Sequence, residues 1–109
     1  MEQISPYKAL DFIRDHAPLY SEAKANVLYL TEYRKTLKAK LMAESKAKTE
    51  SAKETFAYSH PSYEQHLEAI KIAVAEAERL RWLMVAAEAK IEVWRSLESS
   101  ARAEGRSTT

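Results

Sequence analysis

Cysteine is absent from this chain, glycine occurs once, proline three times, and no apolar run approaches the ~18 residues of a membrane span. Each absence excludes something. Without cysteine there are no disulfides, no thiolate-bound zinc and no cysteine nucleophile. A single glycine, Gly105, sits too near the C-terminus to build a phosphate-cradling loop or a nucleophile elbow. With so little turn punctuation among so many Ala, Glu, Lys and Leu residues, β-hairpins have nowhere to form, and the expected class is all-α. The N-terminal "MEQISPYKAL" carries an acidic residue and lacks a long apolar stretch, so no leader or membrane partner is expected and a cytoplasmic location is the default.

The punctuation that does occur sets the predicted elements. Ser5 can cap a helix whose first position is Pro6, where the missing N–H costs nothing, and the short first helix runs to about His16. Pro18 is expected to end it, because the residue before a proline is pushed out of the α region. No glycine or proline follows until Pro61, so a second helix is expected over about 19–58. "YSHPSY" then reads as a turn, with Ser62 and Gln65 as a capping box for a third helix over about 63–103, capped by Gly105 and followed by a tail at 104–109. Residues 1–109 are thus read as a single helical domain.

Two long helices joined by about four residues must fold back as an antiparallel, coiled-coil-like hairpin. With the turn near residue 60, Leu41 would meet Leu80, Leu37 would meet Met84, Leu30 would meet Ile91 and Val27 would meet Trp94. The segment "AESKAKTESAKET" has no large apolar residue, so this end of the hairpin is expected to be thin. At the other end "LRWLMVAAEAKIEVW" is apolar on more than one face. Leu10, Phe12 and Ile13 of the first helix can cover part of it. Trp82, Val85 and Trp94 are assigned to an interface between copies, making the chain a homo-oligomer.

No enzyme is expected. His16, His60 and His66 lack the i, i+4 spacing of a helical metal site, and Asp11 and Asp15 flank Arg14 as helix-surface carboxylates do. The reading includes no metal and no cofactor. What the sequence offers is charge: between Lys24 and Glu54 eight Lys or Arg stand against four Glu, a net of +4 on a chain that is +1 overall. On one continuous helix Lys24, Lys35, Lys38, Lys46 and Lys53 would fall within about 80° of each other as a basic ridge. Such a ridge can track phosphates or can be a solvated face paired to nearby glutamates.

The run "YSEAKANVLYLTEYRK", the basic helix ending "AKETFAYSHPSY" and the Trp-containing "RLRWLMVAAEAKIEVWRSLESSAR" together resemble phage recombination mediators of the UvsY type, over about residues 19–102. The resemblance implies a helical oligomer in the cytoplasm of a bacterial host. It would bind single-stranded DNA, contact a single-strand-binding protein and help load a recombinase or annealing protein. The family's Lys-x-Arg contact is matched at Lys53, but Thr55 takes the second place, so Lys46 and Lys48 are expected to compensate. The nucleic-acid site implied is Lys35, Lys38, Lys46, Lys48 and Lys53. The alternative is a non-catalytic helical adaptor or inhibitor that works through protein contacts alone.

Overall fold

Local hydrogen bonding decides where the helices start and stop. The N–H of Lys8 donates to Ser5 Oγ at 3.3 Å and that of Ala9 to the Ser5 carbonyl at 3.2 Å, so Ser5 caps the first helix with Pro6 at its first position. The computed structural model describes residues 3–108, with side chains through 106, so Thr109 of the expected tail lies outside the described residues. These form α1 (Pro6–Glu44), α2 (Glu50–Ser59) and α3 (Pro61–Thr108), with no strand among them. The all-α expectation holds.

The internal boundaries differ from those expected. Pro18 does not end a helix; α1 runs through it for 39 residues. A proline removes one donor, the one that would reach the Arg14 carbonyl, and its ring crowds that carbonyl, at a cost of ~3 kcal/mol. Helix formers on both sides carry the chain across. The turn before it is braced by His16, whose ring Nδ1 donates to the Phe12 carbonyl at 2.8 Å and stacks on the Phe12 ring at 3.7 Å.

The break comes instead at residues 45–49, where no glycine or proline stands. Ser45 N–H bonds back to the Met42 carbonyl at 3.2 Å, and Ala47 N–H donates to Ser45 Oγ at 3.1 Å. Thr49 is extended (φ −110°, ψ 153°) and caps α2, its Oγ1 accepting from Ala52 N–H at 3.1 Å. Ser and Thr hydroxyls offer the backbone an alternative to the helical ladder, and with no large apolar residue nearby nothing outweighs it.

"SHPSY" is a joint and not a reversal. His60 N–H donates to the Ala57 carbonyl at 3.2 Å, ending α2, while its own carbonyl accepts from Tyr63 N–H at 3.0 Å. Its ring Nδ1 accepts from Ser62 N–H at 3.0 Å, so the imidazole fills the capping role expected of Ser62 and Gln65. Its ψ of 137° is what a residue before proline prefers. Gly105 is not a cap either: it lies within α3, and no described residue has a positive φ.

The chain forms two compact units, a central one (Ser21–Glu78) and a terminal one (Met1–Tyr20 with Arg79–Thr109). In the central unit Lys38 of α1 pairs with Glu54 of α2 at 3.5 Å, and further back along α1 the Leu30 carbonyl accepts from His66 Nε2 of α3 at 2.6 Å. The partners climb in number as α1 descends, so the chain reverses within this unit at 45–49. Leu30 therefore lies against His66 where the expected register put Ile91, a difference of about seven helical turns. The buried residues here are Leu41, Ala57, Ala73 and Ala77; in the terminal unit they are Ala9, Leu80 and Ala87. No large side chain among the described residues is fully buried.

Candidate interaction surfaces

The expected basic ridge needed one uninterrupted helix from Lys24 to Lys53, and the break at 45–49 dismantles it. Lys35 and Lys38 are on α1, Lys46 and Lys48 are in the loop, and Lys53 is on α2, which runs back along α1. Pairing separates them further. Lys35 Nζ lies 3.3 Å from Glu32 and Lys53 Nζ 3.8 Å from Glu50, both one turn along the same helix. Such exposed pairs contribute a few tenths of a kcal/mol.

Lys38 is tied more firmly. Besides Glu54 it has the Tyr58 ring beneath it, its Nζ 4.8 Å from the ring centroid. Hydrogen bonding to the Tyr58 side chain holds its pKa above the ordinary 10.5, with the Glu54 charge adding to the effect and partial desolvation opposing it. Tyr58 meets Tyr63 edge to face at 5.2 Å, and Tyr33 meets His66 at 5.5 Å. A lysine held this way clasps two helices. Sequence reasoning missed both the clasp and the His66 bond, and the hydroxyls of Ser45 and Thr49 were the signal that would have put the reversal in place to find them.

Lys46 and Lys48 remain. Both are exposed on the 45–49 loop, and neither forms an ion pair with the carboxylates around it. Of the five lysines assigned to nucleic acid, these two are the ones without a carboxylate partner. Beside them Lys40 is engaged with Tyr33, 3.4 Å from its hydroxyl.

The larger feature is apolar. Among the described residues fifteen large hydrophobic side chains are at least a third exposed, whereas the buried set is five alanines and two leucines. Alanine is therefore inside and Trp82 outside, the reverse of the usual ranking of burial. In the terminal unit a groove of about 460 Å³ lies between α1 and α3, bordered by Phe12, Leu83, Lys8 and Lys90, so these helices do not close fully on each other.

On α3 the three residues assigned to one interface do not share a face. Leu80, Ala87 and Trp94 recur every seven positions, which places Trp94 on the inward stripe, where it is half-buried. Trp82, 58% exposed, is on the opposite side of the helix, and Val85, 37% exposed, is at its margin. Leu10, expected to cover this region, is itself 53% exposed, while Phe12 and Ile13 are half-buried.

No three His, Asp or Glu side chains among the described residues come together as a metal site, and no described helix is long and apolar enough to cross a membrane. Compared with known proteins, the chain matches no family model, no curated protein and no solved structure.

Proposed function

We propose that this chain is a non-catalytic helical assembly protein that acts by laying its exposed apolar surface against other protein chains. The observation that carries the reading is the inversion of burial, with alanines inside and Trp82, Val93, Leu97, Ile72 and Leu28 outside. Burying apolar area is the main favourable term in folding and association, at ~25 cal/mol per Å². A two-layer helical arrangement with an alanine seam gains little of it alone, and more chains add what is missing. Long helices running in opposite senses offer a continuous edge for such packing. Light scattering coupled to gel filtration, together with titration of an apolar dye, tests this. The expected result is a mass above the 12.5 kDa of one chain, or else a folded monomer that binds the dye. A cooperative monomer that binds none would overturn the reading.

A recombination mediator that holds single-stranded DNA while assembling a recombinase is one form of assembly protein. What favours it is the pair of unpaired lysines, Lys46 and Lys48, projecting from one loop. Contact through these two alone gives a salt dependence of about −0.7 per phosphate neutralised, so log affinity for oligo-dT against log salt would have a slope of about −1.4. Replacing both with alanine would abolish it. No binding at about 50 mM salt would remove this form and leave the protein-contact form standing.

A further inference from the structure

The apolar side of α3 in the terminal unit has a spacing that specifies its occupant. Trp82, Ala86, Ala89 and Val93 follow one another at intervals of four, three and four, the seam of a two-helix coiled coil, and all four are exposed. Val85 and Leu97 widen the strip. This is a second seam on the same helix, centred away from Leu80 and Ala87, with Ala86 at its edge also lining the groove toward α1.

The order of sizes along it is large, small, small, large. If a second copy lay parallel, Trp82 would meet Trp82 and Ala86 would meet Ala86, demanding wide and narrow helix separations within one turn. Arg79, one step before Trp82 in the same seam, would also face its own copy. Turned antiparallel about a two-fold axis between Ala86 and Ala89, every layer matches: Trp82 packs on the other chain's Val93, and Ala86 on its Ala89. On the flanks Val85 falls beside Glu92 of the other copy and Leu83 beside Lys90, so no like charges meet. The stems of Glu92 and Lys90 can cover the apolar edge.

We propose that two copies of this chain pair antiparallel through the α3 strip Trp82–Ala86–Ala89–Val93. The proposal rests on the assembly reading above and names its first partner. Trp82 is the anchor: the Arg81 guanidinium lies over one face of its ring, 4.5 Å from the centroid, and the second copy covers what remains exposed. With Trp82 58% exposed, Val93 48% and Leu97 59%, the strip offers on the order of 450 Å² per chain, so two chains bury roughly 900 Å². That is the low end for specific interfaces, and it implies a reversible dimer.

The absence of cysteine makes the geometry directly testable. In the antiparallel pair residue 96 of one copy lies across from residue 79 of the other, whereas two residues 96 are separated by ~25 Å along the axis. Oxidising a mixture of Ser96→Cys and Arg79→Cys chains should therefore give the mixed disulfide dimer, identified by mass, and neither variant alone should cross-link. Self-linking of each variant would overturn the antiparallel arrangement. Ala89→Glu places two buried carboxylates in the centre, and should raise the dissociation midpoint by at least about tenfold with helical signal retained. A wild-type chain that stays monomeric at about 100 μM yet binds apolar dye overturns the pairing, and in that case assembly with a different protein still stands.

Discussion

In the central unit side chains reach from one helix to another: Lys38 to Glu54 and Tyr58, His66 to the Leu30 carbonyl, Tyr33 to the His66 ring. In the terminal unit Arg14 and Arg95 pair along their own helices, the buried contacts are Ala9, Leu80 and Ala87, and Trp82, Val93 and Leu97 face outward. Polar and ring contacts are directional and fix a register with little apolar area. Alanine contacts allow close approach but specify it weakly. The difference teaches that one helical chain can be held by directional polar and ring contacts over one stretch and by a small-residue seam over another. Exposed apolar residues occur in both units, Leu28 and Ile72 in the central one and Trp82, Val93 and Leu97 in the terminal one.

The comparison is tested most severely at its two buried leucines, Leu41 in the central unit and Leu80 in the terminal one, 4% and 3% exposed. Each change to alanine should cost ~2–5 kcal/mol, the amount depending on how far the site collapses around the cavity. Neighbours held by the Lys38 clasp collapse less, so Leu41→Ala should lie at the upper end and Leu80→Ala at the lower. Urea unfolding followed by circular dichroism gives both values, and the reverse order would break the comparison.

Next in size is Pro18, which interrupts the ladder of α1 in the terminal unit. Pro18→Ala restores the bond to the Arg14 carbonyl and should stabilise the chain by up to about 3 kcal/mol, read as a higher urea midpoint. No gain would mean that the backbone there has settled at little cost.

A smaller effect is expected at the cap of α2. Thr49→Ala leaves the Ala52 N–H without its side-chain acceptor and should cost ~1 kcal/mol. Hydrogen exchange should quicken first in residues 50–53, and uniform protection would count against a capping role.

The smallest effect, and the sharpest in sign, concerns Lys38. A pKa raised above 10.5 in the folded chain means that its contribution is fully present below that value and is lost as pH rises through the raised one. As pH rises above 10.5, the wild-type urea midpoint should fall more than that of Lys38→Met. Equal slopes would remove the clasp from the central unit's account.

How much of this was legible beforehand depended on which signals were weighed. Ser5 and Pro6 announced the start of α1 correctly, because both act through the local backbone. Pro18 was read by the same local rule and misled, since one lost bond in a 39-residue helix is a small share of its cooperative total. The break at 45–49 was visible in Ser45 and Thr49, whose hydroxyls compete for backbone donors, but these residues are common within helices as well. Moving the reversal from residue 60 to this loop changed every expected pairing. It scattered the lysine ridge, whereas Trp94's place on the inward stripe, apart from Trp82, follows from its seven-residue spacing from Ala87 and Leu80 wherever the chain turns. The excess of apolar surface around Trp82, by contrast, was evident from "LRWLMVAAEAKIEVW" alone, because it depends on helical periodicity and not on where the chain turns.

The two interruptions in the helical run also differ in what they let a lineage do with chain length. His60 closes α2 and opens α3 within a single residue, so one amino acid inserted there would rotate α2 by about 100° against α3 and disturb the setting of Ala57, fully buried now. The 45–49 loop carries no such phase relationship, and doubling its length costs only ~0.6 kcal/mol in closure entropy. A length change should therefore be tolerated in the loop bearing Lys46 and Lys48, the part of the central unit that can change size and charge while the joint at His60 keeps α2 and α3 in phase.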